Sequence, residues 1–145
     1  MAHFRRCETA VDSDDSAPIL FYDGNCGLCA RSVQWCLAHD HRRRVRFAAL
    51  QGKTYAALAV DGKPGELDSV VLFDRGRLLL RSDALLGILQ HFGGAWPFLA
   101  SMGKIVPRPL RDAAYGFVAR RRLAWFGDAS RCRVPTAAES ARFLP

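Results

Sequence analysis

The chain has 145 residues, half of them hydrophobic and 24% charged, with a formal net charge of +7. That length and composition suit one globular domain with a core that needs no disulfide staples, and no apolar run reaches the roughly 18 residues of a spanning helix. The five cysteines, at positions 7, 26, 29, 36 and 132, are odd in number and unevenly spaced, which argues against the disulfide framework of a small secreted protein.

Residues 1–17 read as a flexible tail. Arg5 and Arg6 are followed by a polar, acidic run rather than an apolar segment, so no signal peptide is expected and a reducing cytoplasm is the expected setting. Ile19 to Tyr22 is a short apolar run bounded by turn residues, as in a buried strand. Asp23-Gly24-Asn25 makes a turn. From Cys26 to about His39 a helix is predicted, with Cys29, Val33, Cys36 and Leu37 on one face. Val45 to Leu50 reads as a second strand parallel to the first, which completes a βαβ unit. Thr54 to Val60 is a short helix candidate, and 61–65 a loop. Ser69 to Phe73 and Arg77 to Arg81 form a hairpin turned by Asp74-Arg75-Gly76. Ser82 is placed to cap the next helix, whose apolar set is Ala84, Leu85, Ile88, Leu89 and Phe92, with Gly93-Gly94 as its stop.

The expected fold class is therefore α/β, a thioredoxin-like β-α-β-α-β-β-α core over 18–92, with a helical C-terminal extension over 93–145 packed on it. In the extension, Pro107 and Pro109 interrupt the helical pattern and Pro109 suits a new first turn. Leu110, Ala114, Phe117 and Val118 supply the next apolar face, Gly127 ends it, and 135–144 is a short terminal segment. Between 101 and 133 eight basic residues stand against two acidic ones. This region is either a solvated surface or a face for an acidic partner, and no nucleic-acid motif accompanies it.

Cys26-Gly27-Leu28-Cys29 carries the chemistry. At a helix N-terminus, the Cys26 sulfur meets unpaired backbone N–H groups and the positive end of the helix dipole, which favour the thiolate. Cys29, one turn on and on the apolar face, is expected to be the more buried of the two. Cys26 is thus expected to attack a disulfide and Cys29 to resolve the mixed disulfide. Asp23 has two readings, a turn or helix cap and a proton acceptor for Cys29. The competing reading of the pair is half of a zinc site completed by His39, His41 or Cys132, although His39 lies roughly 15 Å along the helix. Cys36, two turns from Cys29 and roughly 10 Å away, is beyond disulfide reach and is expected in the core. Cys7 and Cys132 read as incidental thiols. Trp35, Trp96 and Trp125 read as core or lip aromatics, and no phosphate-binding glycine loop is present.

At Phe21-Tyr22-Asp23-Gly24-Asn25-Cys26-Gly27-Leu28-Cys29 the chain resembles the DCC family of thiol-disulfide oxidoreductases, named for Asp-x-x-Cys-x-x-Cys. The stretches Arg46 to Gln51, Asp68 to Leu72, Arg81 to Ala84, Val106 to Asp112 and Trp125 to Gly127 resemble it too, so the likeness covers about 18–144. It implies a thioredoxin-like fold, a redox role and the site residues Asp23, Cys26 and Cys29, with no cofactor. Thioredoxins place a cis-proline before the third core strand. Here that place falls near Asp68-Ser69, Pro64 being several residues too early, which leaves Ser69 to face the thiols. Three functions are in contention: an oxidoreductase acting on a protein or small-molecule disulfide or thiol; a non-catalytic binding module that uses the basic C-terminal helices; and a zinc-binding domain.

Overall fold

The computed structural model describes residues 17–60, 63, 70–127 and 137–145. The elements run β1 (Ile19–Tyr22), α1 (Gly27–His39), β2 (Arg46–Ala49), α2 (Lys53–Ala57), β3 (Val71–Asp74), β4 (Arg77–Leu80), α3 (Arg81–Leu89), α4 (Trp96–Gly103), α5 (Arg108–Phe126), α6 (Ala137–Ser140) and β5 (Phe143–Leu144). The sheet order is β4-β3-β1-β2-β5. β1 is central, parallel to β2 and antiparallel to β3, and β4 returns antiparallel on β3. The first seven elements make a thioredoxin-like α/β core.

The two-residue period of β1 splits the core between the faces of the sheet. Leu20 joins Val33 and Cys36 of α1, Ala84 and Ile88 of α3, and Phe47, Leu72 and Phe92. Ile19 and Phe21 point the other way, to Ala48, Val71, Leu50, Tyr55 and Leu58. Helices therefore cover both faces, and the unbroken apolar run of β1 is what a strand buried on both sides requires.

Several elements depart from the expectations above. The terminal segment adds a strand: β5 pairs in parallel with β2, Phe47 opposite Phe143. Ser82 does not cap α3. The helix begins two residues earlier, at Arg81, with Leu80 at the N-cap and no side-chain cap bond. The Ser82 hydroxyl instead donates to the Asp112 carboxylate on α5. The apolar face assigned to α5 divides: Leu110 and Phe117 turn outward, 63% and 44% exposed, while Ala114 and Val118 line a cavity between α1, α3 and α5. The inner face of α5 also carries polar contacts: Arg111 pairs with Asp83 and the Tyr115 hydroxyl accepts the Val70 N–H at 2.9 Å. Trp35 and Trp125 are likewise exposed, while Trp96 packs against the core edge.

Cys36 lies in the core as expected, 5% exposed. Burial pushes its thiol up to about 12, the Asp40 carboxylate adds to this, and Arg142 opposes it. An unfolded thiol titrates near 9, so the folded state holds this proton the longer. The associated stability is complete below pH about 9 and is lost as the pH rises toward about 12. The urea midpoint is expected to fall above pH 9, and Cys36→Ala is expected to flatten that decline. An unchanged pH slope in the variant would assign the decline to other groups.

Candidate functional site

The site begins where β1 runs out of sheet. Asp23 closes the turn through its own side chain, Oδ1 accepting the Asn25 N–H at 3.0 Å. The same oxygen accepts Gln51 Nε2 at 2.9 Å, and Gln51 Oε1 accepts the Gly24 N–H at 3.2 Å. The turn is thereby pinned to Gln51, two residues beyond the end of β2. This geometry delivers Cys26 to the N-cap of α1 in extended conformation, its Sγ accepting the Cys29 N–H at 3.5 Å. A sulfur in the N-cap position takes the place usually held by a serine or aspartate oxygen.

Cys29 sits one turn along, its thiol hydrogen-bonded to Cys26. Burial, that hydrogen bond and the charge of Cys26 push the Cys29 thiol up to about 12, while a backbone hydrogen bond from Asp23 and the Arg122 charge oppose the rise. Cys29 thus holds its proton at neutral pH.

The expected order of burial is reversed. Cys26 has no exposed surface and Cys29 retains 7%. The cause lies in α5, whose C-terminal end docks on the start of α1. The Gly27 N–H donates to the Gly127 carbonyl at 3.1 Å, and Arg31 lies over the Phe126 ring at 5.7 Å. On the other side of the pair a cavity of about 520 Å³ opens between α1, α3 and α5, and Cys29 is part of its wall.

Residues 20–128 match the DCC1-like thiol-disulfide oxidoreductase family. The chain belongs to that family. Among its relatives are the uncharacterized protein YuxK of Bacillus subtilis, 33% identical over 88% of this chain and 93% of its own, and a chloroplastic DCC family protein of Arabidopsis thaliana, 35% identical over 83% of this chain and 72% of its own. No solved structure matches the chain.

The structure of this DCC1-like chain brings the three motif residues together and adds a fourth. Asp23 Oδ2 accepts Arg122 Nη2 at 3.2 Å, with both side chains largely buried. Arg122 Nη1 lies 4.0 Å from Cys29 Sγ. Arg122 was hidden in the run Arg120-Arg121-Arg122. The signal that marks it is helical spacing: Arg111, Tyr115, Val118 and Arg122 recur at three to four residues and share the inner face of α5. The expected basic surface shrinks accordingly, since Arg108, Arg111 and Arg122 are all paired with aspartates.

Removing Arg122 has a directional consequence. Its charge favours the Cys29 thiolate, so Arg122→Met raises the energy of that ion. On a Cys26→Ser background, which leaves Cys29 as the one thiol of the pair, alkylation of Cys29 at pH 8 is expected to slow roughly tenfold, with the pH profile displaced upward. Arg122→Lys should restore part of the rate.

For the zinc reading, the described residues contain no group of three His, Cys, Asp or Glu side chains fit to hold a metal ion. His39 is engaged with the Trp35 carbonyl at 2.8 Å and stacked on the Trp35 ring. Ser69, Pro64, Cys7 and Cys132 lie outside the described residues. No helix among those described is long and apolar enough to cross a membrane.

Proposed function

We propose that this chain is a thiol-disulfide oxidoreductase that exchanges the Cys26–Cys29 dithiol and disulfide with a protein or small-molecule substrate in the cytoplasm. The observation that carries it is the hydrogen-bonded pair at the start of α1, in which the Cys26 sulfur caps the helix and the Cys29 thiol bonds to it. Cys29 lies one turn from Cys26, close enough to close into a disulfide without unwinding α1. The N-cap N–H bond stabilises charge on Cys26 whenever that sulfur leaves or attacks. Membership of the family supports a redox role.

Asp23 acts here as a positioning residue. It shapes the turn, supplies its backbone to Cys29 and fixes Arg122 beside the same sulfur. Equilibration in glutathione redox buffers, with thiol trapping and peptide mass mapping, tests the reading. A reversible two-electron transition confined to the Cys26–Cys29 peptide is expected. A pair that stays reduced across the whole buffer range overturns it.

A further inference from the structure

α4 carries its side chains the wrong way round for a helix facing water. Toward α3, on which it packs, it presents its smallest residues. Ala100 has no exposed surface, and a Cβ at Gly103 would stand 2.7 Å from the Leu86 side chain. Outward it presents Phe98, 66% exposed, with Leu99 and Met102 about half exposed. The turn into α5 and the first residues of that helix add Ile105, 73% exposed, Val106 and Leu110. Single apolar residues are ordinary on a protein surface, but a run of them gathered on one helix and its following turn marks a contact.

Cations frame this run. At the head of α4 the Arg42 guanidinium lies against Gly93, and Trp96 packs edge-on to Trp35 at 5.0 Å. The exposed loop Arg42-Arg43-Arg44 is thereby set beside the first turn of α4, and exposed Lys104 stands at its far end. Among the described residues none of these four has an ion-pair partner, unlike Arg108, Arg111, Arg122 and Arg142. From His41 to Val60 and from Ala84 to Arg111 the sequence holds no Asp or Glu, so neither segment repels an anionic surface. A second copy of the chain would add like charge to like. A bilayer with anionic headgroups answers both features: apolar side chains sink to the acyl boundary while long basic ones stay at headgroup level.

We infer that α4 and the turn after it dock on a bilayer that carries anionic lipid, with Phe98, Met102 and Ile105 in the interfacial layer and Arg42, Arg43, Arg44 and Lys104 on the headgroups. Either attraction alone gives weak binding, and the two together hold the chain at the surface. Trp96 meets α1 at Trp35 and His39, and Cys29 stands roughly 15 Å along that helix from His39. Docking therefore stations the dithiol near the membrane rather than against it.

Flotation of the full-length protein with vesicles of phosphatidylcholine, alone or mixed with phosphatidylglycerol, tests this. The mixed vesicles are expected to bind roughly tenfold more protein at low salt, a difference that shrinks as salt is added. Phe98→Ser combined with Ile105→Ser leaves the charge unchanged and should lower binding to mixed vesicles roughly tenfold or more. Arg42→Gln combined with Arg44→Gln should lower it by a similar factor, roughly tenfold, whereas Arg42→Lys with Arg44→Lys should keep it. All four positions are exposed, so each variant should unfold near the wild-type temperature. Equal binding to the two kinds of vesicle overturns the inference. So does binding that ignores the serine pair, which would describe adsorption by charge alone. Absence of binding to the mixed vesicles overturns it as well, and an oligomer that the serine pair splits would then assign the face to a second copy.

Discussion

Cys26→Ser and Cys29→Ser are each expected to lower multiple-turnover reduction of a model disulfide by roughly a thousandfold or more, because neither sulfur can complete a two-electron exchange alone. The two losses should not add: the double variant is expected to match either single one, as groups acting as one unit do. Serine keeps an oxygen at the N-cap in place of the Cys26 sulfur, so α1 retains its start and Cys26→Ser is expected to unfold near the wild-type temperature. Retention of full turnover by either variant would falsify the assignment of the chemistry to this pair. Cys36→Ser is the control. Its sulfur belongs to the core, so that change should affect stability and leave the normalised exchange rate within about twofold.

Arg142→Met is expected to produce the largest loss of stability. Asp40 is almost completely buried at the end of α1, where its backbone N–H closes the helix on the Cys36 carbonyl at 2.8 Å. Its carboxylate accepts the Val45 N–H at 3.0 Å and pairs with Arg142. Arg142 also donates to the Val45 carbonyl through Nε at 3.1 Å and Nη2 at 2.9 Å, and lies over the Phe47 ring. Methionine keeps much of the apolar stem but leaves a buried carboxylate without its counter-charge, which costs about 3–5 kcal/mol. For a chain of this size that lowers Tm by roughly 10 °C. Pairing it with Asp40→Leu should recover most of the loss, because the isolated charge is then gone. A loss below about 1 kcal/mol in the single variant would show that the charge finds other compensation.

The core and the position of the motif were legible because they rest on local signals. Ile19 to Tyr22 is apolar and bounded by turn residues, Asp74-Arg75-Gly76 separates two strand-like runs, and Cys29, Val33 and Cys36 recur at helical spacing. What escaped depends on contacts between residues far apart in the chain. The order of burial at the thiols is decided by α5 reaching α1, as in the bond from Gly27 to Gly127. Arg122 reads as one of three consecutive surface arginines until α5 is rotated onto α1 and α3. Leu110 and Phe117 of α5 pointed to the wrong face for a related reason. The inward face is held by directional polar pairs, such as Ser82 with Asp112 and Arg111 with Asp83, which hydrophobic periodicity does not register. β5 is only two residues long, too short for a pattern.

The bond between Gly27 and Gly127 also makes one amide an observable. The first N–H groups of a helix ordinarily face water and exchange their protons freely. Gly27 instead carries a lock set by a residue a hundred positions away. Its exchange rate therefore measures how often the end of α5 lifts from α1, the same excursion that would uncover Cys26. A single backbone resonance, followed with the pair reduced and then oxidised, converts the accessibility of the hidden sulfur into an opening equilibrium constant.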